Sequence, residues 1–305
     1  MPPIQTGRAG SAAASPRTQR SLDLEIVEAG IAKKLPVLDA LSAARRQRTA
    51  AGGAPASPTA LRLLAQGDSW LDRGPTDLAD SLRRDSGHRV TSLAISGSTL
   101  DQVAYGTLPL DHLGVAGADH VSRAEDLIYT MQSVRPGALL LSAGGNDVKG
   151  GALGLIGSAL SSSKGFDAGA VRRHVANAFA QPYRDLVALV TAKAERMGRR
   201  VPIVIHGYDY LRVSERARWA AARLGRGAGE LLETVGRAFV DAFHDVLSDL
   251  AEEHPGTVFL ADLRGTLTDA VDWADEIHTS ARGFTRLAGK VDGVLRSALA
   301  QQAAS

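Results

Sequence analysis

Short apolar runs alternate along this chain with longer stretches of helical periodicity. The first run spans Leu61 to Gln66 and stops at Gly67-Asp68-Ser69. Similar runs follow at Arg89 to Ile95, Ala138 to Ser142, Val201 to Ile205 and Thr257 to Ala261. Brief apolar runs bounded by turn residues read as strands buried on both faces of a parallel sheet. Between them, helical patterns occupy about 76–85, 122–134, 171–197 and 229–253, with a last one over about 280–300. Ala124, Leu127, Ile128 and Met131 carry the second of these, and Pro182 predicts a break or kink in the third. The segment 104–121 has no clear pattern. Strand and helix in alternation predict an α/β fold: three layers, α/β/α, around a five-stranded parallel sheet with right-handed crossovers. No internal repeat is evident.

The first 59 residues read differently. Residues 1–20 are rich in Ala, Ser, Pro, Gly and Arg, a composition that predicts disorder. From Ser21 as N-cap, Leu22, Ile26 and Ala29 predict a short helix. Gly30 and Pro36 weaken it, and Val37, Leu38 and Leu41 continue the pattern beyond a kink. Its apolar face has two possible partners, the main domain or another molecule of unknown identity. Residues 49–59 read as a linker, which divides the chain into a low-complexity extension, 1–59, and a folded domain, 60–305.

Composition narrows the functional classes. The chain has 305 residues and a net charge of only +2, with no dense Lys/Arg block in its core, so no nucleic-acid partner is expected. It has no cysteine, which removes disulfides, thiolate metal sites and a thiol nucleophile together. No apolar stretch has the length of a transmembrane segment. The N-terminus lacks an apolar signal region, so a cytoplasmic location is the expectation. The histidines show no metal-ligand spacing, and no Gly-x-Gly-x-x-Gly or P-loop follows the first strand, so neither a metal nor another cofactor is expected.

The candidate chemistry lies just beyond the strands. Open α/β sheets hold ligands at the carboxyl ends of their strands. Ser69 follows the first, Ile95-Ser96-Gly97 the second, and Gly144-Gly145-Asn146-Asp147 the third, while Asp275-Glu276-Ile277-His278 lies in the loop after the fifth. A serine hydroxyl becomes nucleophilic only beside a base, and a carboxylate that accepts from the imidazole Nδ1–H fixes the tautomer that leaves Nε2 free. Asp275 stands three residues before His278. Asp272, six residues before it, is a rival for the same role. Gly97 has the alternative reading of a strand-to-helix turn, and Asn146 that of a helix N-cap. Asp68 and Asp147 read as structural groups that hold their loops through backbone hydrogen bonds. His206 reads as a structural histidine or a group lining the cleft.

Together the four blocks, in this order and spacing, resemble those of the SGNH hydrolases, the GDSL esterase/lipase family. Gly67-Asp68-Ser69 is similar to the nucleophile block, with Trp70 where leucine is usual. Ile95-Ser96-Gly97 and Gly144-Gly145-Asn146-Asp147 resemble the second and third blocks. Asp275-x-x-His278 resembles the last, with Thr279 where proline is frequent. The resemblance covers about residues 60–300. It implies a flavodoxin-like fold and a serine esterase, with Ser69 as nucleophile, His278 as general base and then acid, and Asp275 as the orienting carboxylate. It also implies an oxyanion hole from the backbone N–H groups of Ser69 and Gly97 and the side-chain amide of Asn146. The implied partner is a small-molecule, carbohydrate or lipid ester. Two segments, 149–170 with Leu153, Leu155, Ile156 and Leu160, and 206–228 with Tyr208, Tyr210 and Trp219, are expected to flank the cleft. Acyl transfer or thioester hydrolysis at the same site, and a non-catalytic binding module on this scaffold, are the alternatives.

Overall fold

The computed structural model describes residues 22–50, 59–74, 76–110, 114–147, 166–212 and 228–304. Five strands, β1 (Arg62–Gly67), β2 (Arg89–Ser92), β3 (Ala138–Ser142), β4 (Ile203–His206) and β5 (Val258–Ala261), form one sheet in the order β2-β1-β3-β4-β5. All neighbouring pairs are parallel. The α/β fold and the parallel five-stranded sheet expected from the apolar runs are both present. The run over Arg89–Ile95 yields a shorter strand, because β2 lies at the sheet edge. Its continuation still bonds to β1, through Leu93 N–H to the Ala65 carbonyl at 2.7 Å and Ile95 N–H to that of Gly67 at 3.1 Å.

The helices are α1 (Leu24–Ala50), α2 (Leu78–Arg84), α3 (Leu100–Tyr105), α4 (Arg123–Val134), α5 (Ala168–Arg196), α6 (Ala228–Glu253) and α7 (Ala281–Ala303). α2 and α7 pack together on one side of the sheet, and α3, α4, α5 and α6 form the other layer. Local chemistry sets several starts. Asp77 caps α2 by accepting from the Asp80 N–H, and Ser122 and Glu125 form a reciprocal capping box at α4. Pro182 does not break α5, which runs through it with the proline buried. The central strands β3 and β4 are buried along their whole length, as a sheet covered on both faces requires.

The N-terminal helix differs most from the sequence expectation. It is 27 residues long, not short, and continues through Pro36. It also lies against the domain, chiefly on α4. Leu24 and Val27 join Ala124, Ile128 and Leu189, while Leu38 and Leu41 join Leu108, Ala118 and Val121. These contacts fall on both sides of the proline, and tertiary burial of that kind outweighs its local cost. Ion pairs reinforce them. Arg45 binds the buried Asp126 through both guanidinium nitrogens, at 2.5 and 2.6 Å, and Lys34 meets Glu125 at 2.7 Å. The helix that precedes β1 is therefore packed against the layer of helices beside the sheet.

A sheet of order 2-1-3-4-5 reverses its winding direction between β1 and β3. That switch point opens a crevice at the carboxyl ends of the strands. Ser69 follows β1 and Asn146 follows β3, one on each side of it.

Candidate active site

Ser69 lies on a tight turn after β1, where the Leu71 N–H donates to the Asp68 carbonyl at 3.0 Å. The Asp68 N–H donates to the Ser142 carbonyl at 3.2 Å, which fixes the turn to the end of β3. Asp68 is almost wholly buried, and its carboxylate accepts from the Trp70 N–H at 3.1 Å and the Tyr208 hydroxyl at 2.6 Å. Burial pushes its pKa up to about 6, against the opposing pull of those hydrogen bonds.

The second and third blocks are locked together. The Asn146 side-chain amide donates to the Ser98 carbonyl at 2.9 Å, and Asp147 accepts from the Leu100 N–H at 2.8 Å. Asp72, three residues past Ser69, accepts from the Ser96 N–H at 2.9 Å and joins the first block to the second. Gly97 has φ +82°, a left-handed conformation that glycine adopts without strain. Among the described residues, no acceptor takes the N–H of Ser69 or of Gly97. One amide hydrogen of Asn146 also stays available beyond its bond to Ser98.

The loop after β5 folds into a compact turn. Asp275 Oδ1 accepts from the N–H groups of Ile277 and His278, at 3.0 and 2.7 Å. The Ala274 N–H returns to the His278 carbonyl at 2.9 Å. This geometry holds the carboxylate against its own imidazole, with His278 Nδ1 at 2.9 Å from Asp275 Oδ2 and 3.0 Å from Oδ1. His278 Nε2 lies 3.1 Å from Ser69 Oγ. A hydroxyl from the turn after β1 and an imidazole 209 residues further along the chain, paired with its carboxylate, therefore form one hydrogen-bonded series. With Nδ1–H donating to Asp275, Nε2 presents a lone pair to the serine.

Asp272 is not brought into this series. It is fully buried and its carboxylate faces α7, with Arg286 at 2.5 Å and Arg282 at 3.2 Å. His206 is likewise fully buried and does not line the cleft. Its Nδ1–H donates to the Gly207 carbonyl at 2.8 Å, and burial lowers its pKa to about 4. The segments 148–165 and 213–227, with the expected cleft residues Leu153, Leu155, Ile156, Leu160 and Trp219, lie outside the described residues. Tyr208 and Tyr210, by contrast, are placed. Tyr208 is buried against the site, and Tyr210 donates to Asp241 at 2.7 Å.

Three residues make contacts at the site that the sequence did not specify. Trp70 is buried and its indole N–H donates to the Ile277 carbonyl at 3.2 Å. Its ring meets Tyr208 edge-on, with centroids 4.9 Å apart. Arg73 pairs with Asp275 Oδ2 at 3.1 Å, on the side away from the backbone donors. The Tyr208 hydroxyl accepts from the Gly145 N–H at 2.7 Å while donating to Asp68. The sequence signals for them were the bulky aromatic directly after the serine and the placing of Tyr208 in a segment expected to flank the cleft.

Neither known family models nor curated proteins match this chain. Solved structures do. A family 3 carbohydrate esterase of Clostridium thermocellum is similar at 12% identity, over 78% of this chain and 98% of that one, with a TM-score of 0.43. A family two carbohydrate esterase from the same organism, in complex with cellohexaose, is similar at 15% identity over 81% and 67%, with a TM-score of 0.45. A carbohydrate esterase family 2 enzyme of Corynascus thermopiles is similar at 15% over 82% and 69%, with a TM-score of 0.43. The parallel α/β fold described above is similar to that of these structures, and the four sequence blocks resemble those of the SGNH hydrolases.

Proposed function

We propose that this protein is a serine esterase of the SGNH type that hydrolyses carboxylic esters through an acyl-enzyme on Ser69. The observation that carries the reading is the series Asp275–His278–Ser69, with its 2.9 and 3.1 Å contacts, at the switch point of the sheet. In the proposed cycle His278 Nε2 takes the hydroxyl proton as Ser69 Oγ attacks the acyl carbon. The carbonyl oxygen becomes negative as the tetrahedral intermediate forms. Donors aimed in advance at that oxygen lower the barrier, and the free N–H groups of Ser69 and Gly97 and the amide of Asn146 supply them. His278 then returns the proton to the departing alcohol oxygen, leaving an acyl-serine. A water molecule, deprotonated by the same imidazole, attacks the ester carbon, and collapse of the second intermediate restores the serine and releases the acid. Asp275 stabilises the imidazolium throughout and stays ionised.

The test is a fluorophosphonate label mapped by mass spectrometry, together with hydrolysis of p-nitrophenyl acetate. Wild-type protein is expected to carry the label on Ser69. Ser69→Ala is expected to lose the label and about 10⁶-fold in kcat, the scale of a nucleophile knockout. Wild-type activity in the alanine variant would overturn the proposal.

A further inference from the structure

We infer that the Tyr208 hydroxyl is a positioning group for this reaction, setting the distance between Ser69 and Asn146. The inference rests on the esterase reading above and adds a residue from outside the four blocks. Tyr208 stands two residues past β4.

Residues 143–145 leave the sheet at the end of β3, so their backbone groups need other partners. Two phenols provide them. Tyr183 donates to the Ala143 carbonyl at 2.7 Å and accepts from the Ala143 N–H at 3.0 Å, and so anchors the third block alone. Tyr208 accepts from the Gly145 N–H at 2.7 Å and donates to Asp68 at 2.6 Å, and so reaches two blocks at once. Asp68 in turn accepts from the Trp70 N–H. One carboxylate thus holds both residues that flank Ser69, and one phenol oxygen ties that carboxylate to the residue before Asn146.

The phenol has little freedom to move. Tyr208 is buried, stacks on Phe243 with centroids 5.8 Å apart and meets Trp70 edge-on. No side chain fits at Gly145, where a Cβ would lie 2.9 Å from the Tyr208 ring. Nucleophile and oxyanion donors must be held to about half an ångström, and a displacement near 1 Å costs about 10²-fold in rate. A bridge between the two loops acts on that distance directly.

Tyr208→Phe keeps the ring and removes only the hydroxyl. With p-nitrophenyl acetate, and with sites counted by fluorophosphonate label, kcat is expected to fall about 10- to 100-fold while KM changes less than about threefold. A role in stability alone would lower the melting temperature and leave kcat per labelled site intact. Asp68→Ala removes the acceptor at the other end of the same bridge. The double variant is therefore expected within about threefold of the slower single one, because both substitutions remove one linkage. A Tyr208→Phe kcat within about twofold of wild type, or losses that multiply in the double variant, would overturn the assignment. Either result leaves the esterase reading intact, since that reading stands on labelling of Ser69 in the wild-type protein.

Discussion

The Trp70 indole N–H donates to the Ile277 carbonyl at 3.2 Å, so the residue after the candidate nucleophile is bonded to the residue before the candidate base. A leucine at this position has no such donor. Here the loop after β1 and the loop after β5 are coupled by a side chain as well as by the Ser69–His278 contact. Trp70→Phe keeps most of the apolar burial and removes the donor. It is expected to lower stability by about 1–2 kcal/mol, the scale of one lost hydrogen bond. It should also lower kcat/KM by about tenfold, since a small shift of an orienting loop is costly to rate. Urea titration and steady-state kinetics read the two effects separately, and an unchanged rate would show that His278 is positioned without Trp70.

Asn146→Ala removes one donor from the proposed oxyanion site. The expected outcome is a loss of about 10²–10³ in kcat with KM little changed, because the missing bond belongs to the transition state. The same substitution releases the Ser98 carbonyl, so the melting temperature is measured alongside. A parallel rise in KM with kcat unchanged would assign Asn146 to substrate binding instead.

Asp275→Asn leaves the shape of the base loop but cannot hold the imidazolium. A loss of about 10⁴ in kcat is expected, the scale known for this change in a serine triad. Combined with Ser69→Ala it should cost no more than Ser69→Ala alone, since the groups act as a unit. Additive losses would place Asp275 outside the reaction.

Stability should depend on pH through two buried groups of opposite sign. His206 has a folded-state pKa near 4, below its ordinary 6.5. The unfolded chain therefore binds a proton first on acidification, and stability falls as pH drops from 6.5 toward 4. Asp68 is raised from 3.8 to about 6, so the folded state binds its proton first and gains stability over much of the same range. The two partly cancel in the wild-type protein. His206→Asn removes the first and leaves the second. Relative to wild type, the variant should gain about 2 kcal/mol of unfolding free energy between pH 7 and pH 5. Urea midpoints at several pH values check this, and a difference independent of pH would contradict it.

Much of the sheet was legible because its central strands are covered on both faces. Ala138–Ser142 has the same bounds in the sequence reading and in the structure, and both faces of that run are apolar for the same reason. The four blocks were legible because a turn after a strand carries few residue types besides those its chemistry needs. The long α1 was not. Gly30 and Pro36 are helix-weakening in any local reading, and the compensating contacts come from α4, about ninety residues away. Arg45 and Asp126 are each unremarkable along the sequence, and only the fold brings them together. The same holds for Tyr208, which bonds Asp68 across 140 residues and belongs to none of the blocks.

The clamp of α1 on α4 bears on how this protein can be shortened. A version that starts at Ala60, where the composition changes, would strip the cover from Ile128, Leu108 and Val121 and deprive Asp126 of its guanidinium partner. Fully burying a Leu or Val side chain is worth about 1.5–3 kcal/mol, so losing the seats of Leu24, Val27, Leu38 and Leu41 removes a large part of an ordinary folding free energy. Such a trimmed chain is expected to melt far below the 305-residue chain and to aggregate through its bare flank, as light scattering on heating would reveal. The leading helix is a graft whose removal leaves a wound.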